Sequence, residues 1–306
     1  MNATNLLSGT LITGDTGFVG QHALACWPGA LGMSTLAPKI DIRDKAALLA
    51  CLRAFQPSAV LHLAALSFVP NSFRSPEETF EVNFLGTLRL LEALAETGFK
   101  GRFVFVGTGD SYGLVSADTL PIFEDRPLRP RNPYSVSKVA AEALCYQWSQ
   151  TGPFEIMMAR PFNHIGAGQA PTFAISDFAR QIAGIAAGRR PPQLSVGNIE
   201  ATRDFTDVAD VVRAYELLLT RGQNGEIYNV CSGVERSVRT LLERLLSLSG
   251  VDAEVVSDPA RLRPSEQPRV YGSYMKLSDH TGWQPMVPLD ESLLCIYRYW
   301  ERKIDE

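Results

Sequence analysis

The chain has 306 residues, of which 45% are hydrophobic and 20% are charged, so it is long enough to bury one or two substantial cores. A formal net charge of −4 gives no basic excess, which argues against a nucleic-acid partner but does not exclude small nucleotides. There is no basic leader and no apolar run of the ~20 residues that a membrane span needs, so we expect a cytoplasmic protein. The scattered cysteines form no C-x-x-C pair, which predicts reduced thiols and no metal site.

In chain order, short apolar runs alternate with segments of helical period, a pattern typical of a parallel sheet wrapped by helices. The first predicted strand, Thr10–Thr13, is followed by a glycine turn, the helix Phe18–Cys26 and two short strands near Met33 and Ile40. The alternation continues with a helix at 43–55, a strand at 59–63, a helix at 84–96, a strand at 102–106, a helix at 134–150 and a strand at 156–159. The predicted fold class is α/β, a doubly wound parallel sheet of the Rossmann type.

The alternation loosens from His164 onward, where Gly and Pro cluster, and the C-terminal part of the chain carries only short predicted elements. We therefore predict a Rossmann domain at residues 1–163, rejoined by residues 204–232. A smaller α+β lobe is predicted at residues 164–203 and 233–306. Because ligands of such sheets bind beyond the carboxyl ends of the strands, we expect the lobe to cover a cofactor and hold the substrate.

Residues 14–20, GDTGFVG, follow a strand and open a helix. Glycine permits a tight turn and a close backbone approach, and the helix N-terminus then faces a phosphate group. A glycine triplet alone also occurs in ordinary turns, but the strand-turn-helix context favours dinucleotide binding. The spacing is G-x-x-G-x-x-G, which differs from the G-x-G-x-x-G of common Rossmann dehydrogenases.

Asp41 lies about twenty residues beyond the glycines, where many dinucleotide-binding proteins carry an acid that binds the adenine ribose. Because the second strand ends before Pro38 and a third short strand follows, we expect Asp41 and Ile42 to contact the adenine ring instead. A helix N-cap is the alternative interpretation of Asp41.

Tyr134 and Lys138 lie four residues apart at the start of a predicted helix, directly after Pro133. This step places both side chains on one helical face, so we expect the ammonium of Lys138 to lower the phenol pKa of Tyr134 and to anchor a ribose hydroxyl. The arrangement suits a proton-donating tyrosine, although Y-x-x-x-K also occurs as a surface pair. Thr108, which follows the buried strand Arg102–Val106, is placed to bind a substrate oxygen.

In their order and spacing, the glycines, Thr108 and the Tyr134/Lys138 pair resemble the extended short-chain dehydrogenase/reductase family over nearly the whole chain. Further blocks narrow the resemblance to the GDP-mannose 4,6-dehydratase branch and its sister reductases of 4-keto sugars. These blocks are HLAA at 62–65, VNFLGT at 82–87, GTGDSYG at 107–113, RPFNH at 160–164, RDF at 203–205 and RPSE at 263–266.

The resemblance implies an enzyme that uses NADP(H), or else NAD(H), on a GDP-linked sugar. The implied catalytic residues are Thr108, Tyr134 and Lys138. The implied cofactor-binding residues are Gly14, Gly17, Phe18, Val19, Gly20, Asp41, Ile42, Leu63, Ala64, Ala65, Ser67, Tyr134, Lys138 and His164. The implied substrate-binding residues are Thr108, Asp110, Asn163, Arg203, Arg263 and Glu266. For Arg203, a salt bridge with Asp204 or Asp207 is the alternative.

Two departures from the dehydratases favour a reductase. The dehydratases carry a Glu two residues after the catalytic Thr, whereas this chain has Asp110. Because the Asp side chain is shorter by one methylene, its carboxylate falls about an ångström short of C5 of the sugar. Their arginine-rich segment, which clamps NADP, is replaced by IGAGQ at residues 165–169. We therefore expect hydride transfer to C4 of GDP-4-dehydro-6-deoxy-D-mannose, giving GDP-D-rhamnose, with Tyr134 as the proton donor.

Three alternatives remain at this stage. The first is a bifunctional or pure dehydratase of the same branch. The second is an epimerase or dehydratase of UDP- or dTDP-sugars, against which the block at residues 263–266 argues weakly. The third is a non-catalytic NADP-sensing regulator, against which the intact Tyr134/Lys138 pair argues.

The resemblance also implies a homodimer in which the helices at 84–96 and 134–150 form an intersubunit four-helix bundle. The apolar faces assigned to this bundle consist of Leu88, Leu91, Leu94, Ala141, Leu144 and Trp148. Burial in the core of one subunit is the alternative.

Overall fold

A computed structural model of the chain describes residues 7–36, 40–261 and 267–305. Six parallel strands form the central sheet, in the order β2-β1-β3-β4-β5-β9. They are β1 (Thr10–Thr13), β2 (Leu31–Gly32), β3 (Ala59–His62), β4 (Arg102–Val106), β5 (Glu155–Pro161) and β9 (Ile227–Val230). The predicted parallel sheet is confirmed, and its topological switch point lies between β1 and β3, where such folds bind ligands.

Helices cover both faces of the sheet. On one face α3, α6 and α7 share a core with the strands, and on the other face α1, α9 and α11 share a second core. The helices are α1 (Phe18–Cys26), α2 (Met33–Leu36), α3 (Lys45–Phe55), α4 (Val69–Arg74), α5 (Pro76–Phe80), α6 (Gly86–Glu96), α7 (Pro133–Thr151), α8 (Ala174–Ala186), α9 (Val208–Arg221), α10 (Val238–Ser249), α11 (Met275–Thr281) and α12 (Leu289–Asp305). This two-sided cover confirms the doubly wound arrangement.

The rest of the chain forms two small sheets over a separate apolar core, which α8, α10 and α12 complete. The sheets are β10-β8-β6 and β11-β7, built from β6 (Asn163–Ile165), β7 (Gln193–Val196), β8 (Thr202–Asp207), β10 (Glu235–Ser237) and β11 (Glu254–Ser257). The expectation of only short elements in the C-terminal part is wrong, because α12 runs for 17 residues. The predicted domain boundaries stay a prediction.

The second strand differs from its prediction. It occupies Leu31–Gly32, and Met33 begins a short helix instead of lying in a strand. Residues 40–42 form no strand. Two side-chain hydrogen bonds favour the helical turn here, since Thr35 Oγ1 donates to the Gly32 carbonyl (2.7 Å) and the Ser34 amide donates to Asp15 Oδ1 (3.2 Å).

The apolar faces of α6 and α7 are used inside the subunit to a greater extent than predicted. Leu91, Leu94 and Ala141 are fully buried in the core against the sheet. Leu144 and Trp148 are partly buried and pack against the same core, so five of the six residues expected in an intersubunit bundle contact the internal core. These helices turn their most apolar stripe toward the strands.

The five cysteines are free thiols, and three of them are buried. In the described ranges, no helix combines the length and the apolar character that crossing a bilayer requires.

Candidate active site

The glycine turn packs against the end of β3. Gly14 has a φ of +70°, and a Cβ at this position would lie 2.7 Å from the amide nitrogen of Ala64 and 2.8 Å from the carbonyl carbon of Leu63. A Cβ on Gly20 would lie 2.5 Å from the Gly14 carbonyl oxygen, and the Gly17 amide donates to that same oxygen (3.0 Å). Only glycine fits this left-handed, crowded turn, which leaves the first amides of α1 at the switch point.

A buried hydrogen-bond chain fixes β1 and β3 beneath this turn. Thr13 Oγ1 is 2.7 Å from His62 Nδ1 and accepts from the Ala64 amide (3.2 Å), while His62 Nε2 is 3.0 Å from Thr87 Oγ1. Burial, with a smaller contribution from the charge of Lys138, lowers the pKa of His62 to about 3. The ring is therefore neutral at physiological pH and serves as a structural link that sequence reasoning missed.

Asn83 holds the loop that carries Ala65 and Ser67. Its Oδ1 accepts from the Leu66 amide (2.8 Å), and its Nδ2 donates to the Leu66 carbonyl (3.1 Å) and to Ser137 Oγ (2.9 Å). The loop after β3 is thus tied to the helix that carries the tyrosine. Asn83 belongs to the VNFLGT block at residues 82–87, but the sequence pattern does not indicate this role.

Two predicted cofactor residues from distant parts of the chain meet at the start of α1. The rings of Phe18 and His164 stack with centroids 6.1 Å apart and planes 5° apart. His22 Nε2 bonds to the carbonyl of Ala167 (2.8 Å), which fixes the segment after β6 against α1. Val19 turns toward the core shared with α9.

Asp41 is engaged in an ion pair at the surface. Its carboxylate receives the Arg43 guanidinium at 2.6 Å. Ile42 is buried and packs against Gly86, where a Cβ would lie 2.6 Å from Ile42 Cγ2. The N-cap alternative for Asp41 is wrong, since Asp44 caps α3 by accepting from the Ala47 amide.

Tyr134 and Lys138 lie in the first two turns of α7. Asn132 caps this helix by accepting from the amide (2.8 Å) and the hydroxyl (2.6 Å) of Ser135. Lys138 is 3% exposed, and its Nζ lies 4.7 Å from the ring centroid of Phe105. The lysine side chain therefore lies buried against β4, which contains Phe105.

The phenol of Tyr134 lies close to the Thr108 side chain, just beyond the carboxyl end of β4. Burial raises the pKa of Tyr134 to about 12, the nearby Thr108 side chain opposes this rise, and the charge of Asp110 adds to it. Burial also lowers the pKa of Lys138 to about 8. The expectation that Lys138 lowers the phenol pKa is wrong here, because desolvation outweighs attraction. The protonated phenol is the form that a proton donor requires.

Asp110 accepts hydrogen bonds from two residues at the start of α7. Its Oδ2 receives Asn132 Nδ2 (2.7 Å) and Ser135 Oγ (2.8 Å). This carboxylate therefore links the Thr108 segment to the tyrosine helix. Arg263 and Glu266, two of the predicted substrate residues, lie outside the described residues.

Asn163 and Arg203 lie on neighbouring strands of a small sheet, β6 and β8. Asn163 is exposed, and Arg203 Nη1 donates to the Gln267 carbonyl (2.7 Å). Of the two acids considered as partners of Arg203, Asp204 accepts from the Ser232 amide (2.6 Å) and Asp207 caps α9.

Comparisons with known proteins agree with this geometry. A family described as GDP-mannose 4,6 dehydratase matches residues 34–294. The GDP-6-deoxy-D-mannose reductase of Pseudomonas aeruginosa is 46% identical over 298 residues, which cover 96% of this chain and 98% of that protein. The GDP-mannose 4,6-dehydratase of Yersinia enterocolitica is 29% identical, with 82% and 75% covered.

Solved structures match over almost the whole chain. RMD from Pseudomonas aeruginosa in complex with NADPH has a TM-score of 0.91 and 43% identity, with 96% of this chain and 99% of that chain covered. The Thermus thermophilus UDP-glucose 4-epimerase in complex with NAD has a TM-score of 0.82 and 30% identity, with 95% and 98% covered. The resemblance seen in the sequence is confirmed, and the chain belongs to the GDP-mannose 4,6-dehydratase family.

Proposed function

We propose that the protein reduces the C4 keto group of GDP-4-dehydro-6-deoxy-D-mannose with NADPH, giving GDP-D-rhamnose. One observation carries this proposal: the chain is 46% identical, over 96% of its length, to a protein named GDP-6-deoxy-D-mannose reductase. Its identity to the dehydratases of the same family is far lower, at 29% for the Yersinia enterocolitica protein. The dehydratase alternative and the epimerase alternative are therefore not favoured.

The residues at the switch point fit a dinucleotide. The cradle formed by Gly14, Gly17 and Gly20 leaves room for a pyrophosphate, which the first amides of α1 would bind. The adenosine half would contact Asp41, Ile42 and the loop after β3, and the nicotinamide half would contact Tyr134, Lys138 and His164. The further residues that we assign to the cofactor are Phe18, Val19, Leu63, Ala64, Ala65 and Ser67.

NADPH is favoured over NADH by one observation. The similar Pseudomonas aeruginosa structure is a complex with NADPH. NADH remains a second acceptable cofactor in this proposal, as related structures contain NAD.

When bound, the cofactor supplies the hydride, and Tyr134 of the protein supplies the proton. Tyr134 holds its proton because burial raises its pKa to about 12, and it donates this proton to the developing C4 alkoxide. Thr108, which lies close to the phenol, orients the carbonyl oxygen. Lys138 positions the ribose of the nicotinamide half.

Four side chains of the small lobe would hold the GDP-sugar. Arginines suit the diphosphate because the guanidinium fork pairs with two phosphate oxygens at once, and we assign this contact to Arg203 and Arg263. Asn163 and Glu266 complete the substrate contacts. Asn132 and Ser135 hold Oδ2 of Asp110 in place. The carboxylate is therefore fixed in a position from which it would bind a sugar hydroxyl.

A coupled assay tests this function. We expect the purified protein to oxidise NADPH when a separate GDP-mannose 4,6-dehydratase supplies the keto sugar, and to leave GDP-mannose untouched on its own. NMR of the product reads the C4 configuration, with rhamnose expected. Conversion of GDP-mannose by this protein alone, without consumption of reduced cofactor, would establish a dehydratase and contradict the proposal.

We also propose that the enzyme is a cytoplasmic homodimer. Its five free thiols suit a reducing compartment. The proposed four-helix bundle, formed by α6 and α7 of each subunit, would use the stripe of α7 that remains outside the core, where Val136 and Tyr146 are 39% and 51% exposed. Large exposed apolar side chains of this kind are typical of subunit contacts.

Changing Ala143, an exposed residue in the middle of this stripe, to arginine is expected to convert the dimer to a monomer, because a charge at a bundle interface must be desolvated. Analytical ultracentrifugation at micromolar concentration measures the change. Ser247→Arg, at an exposed position of α10, is the matched control and should stay dimeric. A wild-type protein that sediments as a monomer would refute the dimer.

A further inference from the structure

A buried ion pair lies behind the candidate active site. Glu142 of α7 and Arg160 of β5 have side chains that are 7% and 3% exposed. Arg160 donates from Nε to Glu142 Oε2 (2.8 Å) and from Nη2 to Oε1 (2.6 Å), which makes the pair bidentate. Removing two charges from water costs about as much as their attraction returns, so stability alone gives little reason for such a pair.

Both residues of the pair lie next to the segment at residues 107–112, which contains Thr108. Glu142 follows Lys138 by four residues, which places their side chains on the same helical face. Its Oε2 lies 3.4 Å from the position of a Cβ on Gly107, the residue before the catalytic threonine. On the other side, Arg160 Nη1 donates to the Tyr112 hydroxyl (2.8 Å), in the 3₁₀ turn that the threonine begins.

We propose that Glu142 is a positioning residue that keeps Lys138 charged and aligned with the phenol, and that Arg160 holds the Glu142 carboxylate in place for this task. The inference rests on the proposed function, because that function requires Lys138 to be charged and correctly placed beside Tyr134. The titratable or charged groups around Lys138 are His62 from β3, Arg160 from β5, and Tyr134, Glu142 and Cys145 from α7.

The electrostatics single out Glu142 among these groups. Burial lowers the pKa of Lys138 to about 8, while negative charge at Cys145 and Glu142 would raise it. Burial raises the pKa of the Cys145 thiol and lowers the pKa of His62, so both groups are neutral near pH 7. The Glu142 carboxylate is then the charge that offsets the desolvation of the ammonium.

The test measures the titration of Lys138 directly, by NMR of the protein labelled with ¹³C at the lysine ε position, with the signal assigned from Lys138→Met. We expect a wild-type midpoint near pH 8. In Glu142→Gln the midpoint should fall by roughly one pH unit, which is the size expected for one nearby charge. Glu142→Asp keeps the charge and should keep the midpoint. The matched control Asp210→Asn removes another buried carboxylate, on α9, and should leave the midpoint unchanged.

A second variant controls for loss of folding in Glu142→Gln, because that substitution leaves the buried guanidinium of Arg160 without its ion-pair partner. Glu142→Gln combined with Arg160→Gln removes both charges, and its midpoint should lie between those of the wild type and the single variant. An unchanged midpoint in either variant, an equal fall in Glu142→Asp or Asp210→Asn, or failure of both Gln variants to fold would overturn the proposal.

Enzyme activity gives a second readout that is independent of the NMR titration. In the coupled assay, the rate at high pH should begin to fall roughly one pH unit earlier in Glu142→Gln, with a larger effect on kcat than on KM. If the wild type reduces no keto sugar, the proposed function fails, whereas the NMR titration still decides the role of Glu142.

Discussion

Replacing Tyr134 with phenylalanine is expected to lower the rate of keto-sugar reduction by ~10²-fold or more, the effect of losing a positioned general acid. Burial raises the pKa of this phenol to about 12, so it carries its proton throughout the physiological range. Phenylalanine keeps the ring in place and removes only the hydroxyl. The rate of NADPH oxidation in the coupled assay measures this loss, and NADPH fluorescence measures cofactor binding, which should largely survive.

Tyr299→Phe is the matched control, because Tyr299 lies on α12, outside the candidate site and the proposed subunit interface. Its turnover should equal that of the wild type. Near-normal turnover in Tyr134→Phe would show that another group delivers the proton. A parallel loss of NADPH binding would instead indicate that the hydroxyl holds the cofactor.

Strong local signals predicted the framework well. The strands Thr10–Thr13 and Arg102–Val106 and the helix Phe18–Cys26 have their predicted bounds. In each case a short apolar run or a helical period is bounded by glycine or proline, so the neighbouring residues suffice to determine the element. The positions of the glycine turn, Thr108 and Tyr134 followed, because each lies at the carboxyl end of a strand or at the start of a helix.

Features that depend on distant partners were not predictable in the same way. The short helix after β2 is held partly by Ser34 and Asp15, which are 19 residues apart, and α12 packs on α8, more than a hundred residues earlier in the chain. The raised pKa of Tyr134 also follows from burial, which one sequence does not reveal. The ion pair of Glu142 and Arg160 shows the same limit, since the RPFNH block that contains Arg160 does not indicate that Glu142 is its partner.

Replacing Gly14 with alanine is expected to weaken NADPH binding by ~10²-fold. The added Cβ would meet the Ala64 amide nitrogen at 2.7 Å, so the turn has to move away from the loop after β3. Loss of two amide hydrogen bonds to a charged phosphate costs about 3 kcal/mol, which corresponds to about 10²-fold in Kd. Titration of the NADPH fluorescence measures Kd, and chemical denaturation without cofactor measures the free energy of unfolding.

Substitutions at two further glycines distinguish backbone strain from steric crowding of the turn as the cause of weaker NADPH binding. Gly98 has a φ of +77° and no atom near its Cβ position, so Gly98→Ala should lower stability by about 1 kcal/mol through backbone strain and leave Kd unchanged. Gly20 has no left-handed φ, but its Cβ would lie 2.5 Å from the Gly14 carbonyl oxygen, so Gly20→Ala should weaken binding much as Gly14→Ala does. If Gly14→Ala and Gly20→Ala both bind NADPH like the wild type, the glycine turn does not hold the pyrophosphate, and the cofactor site lies elsewhere.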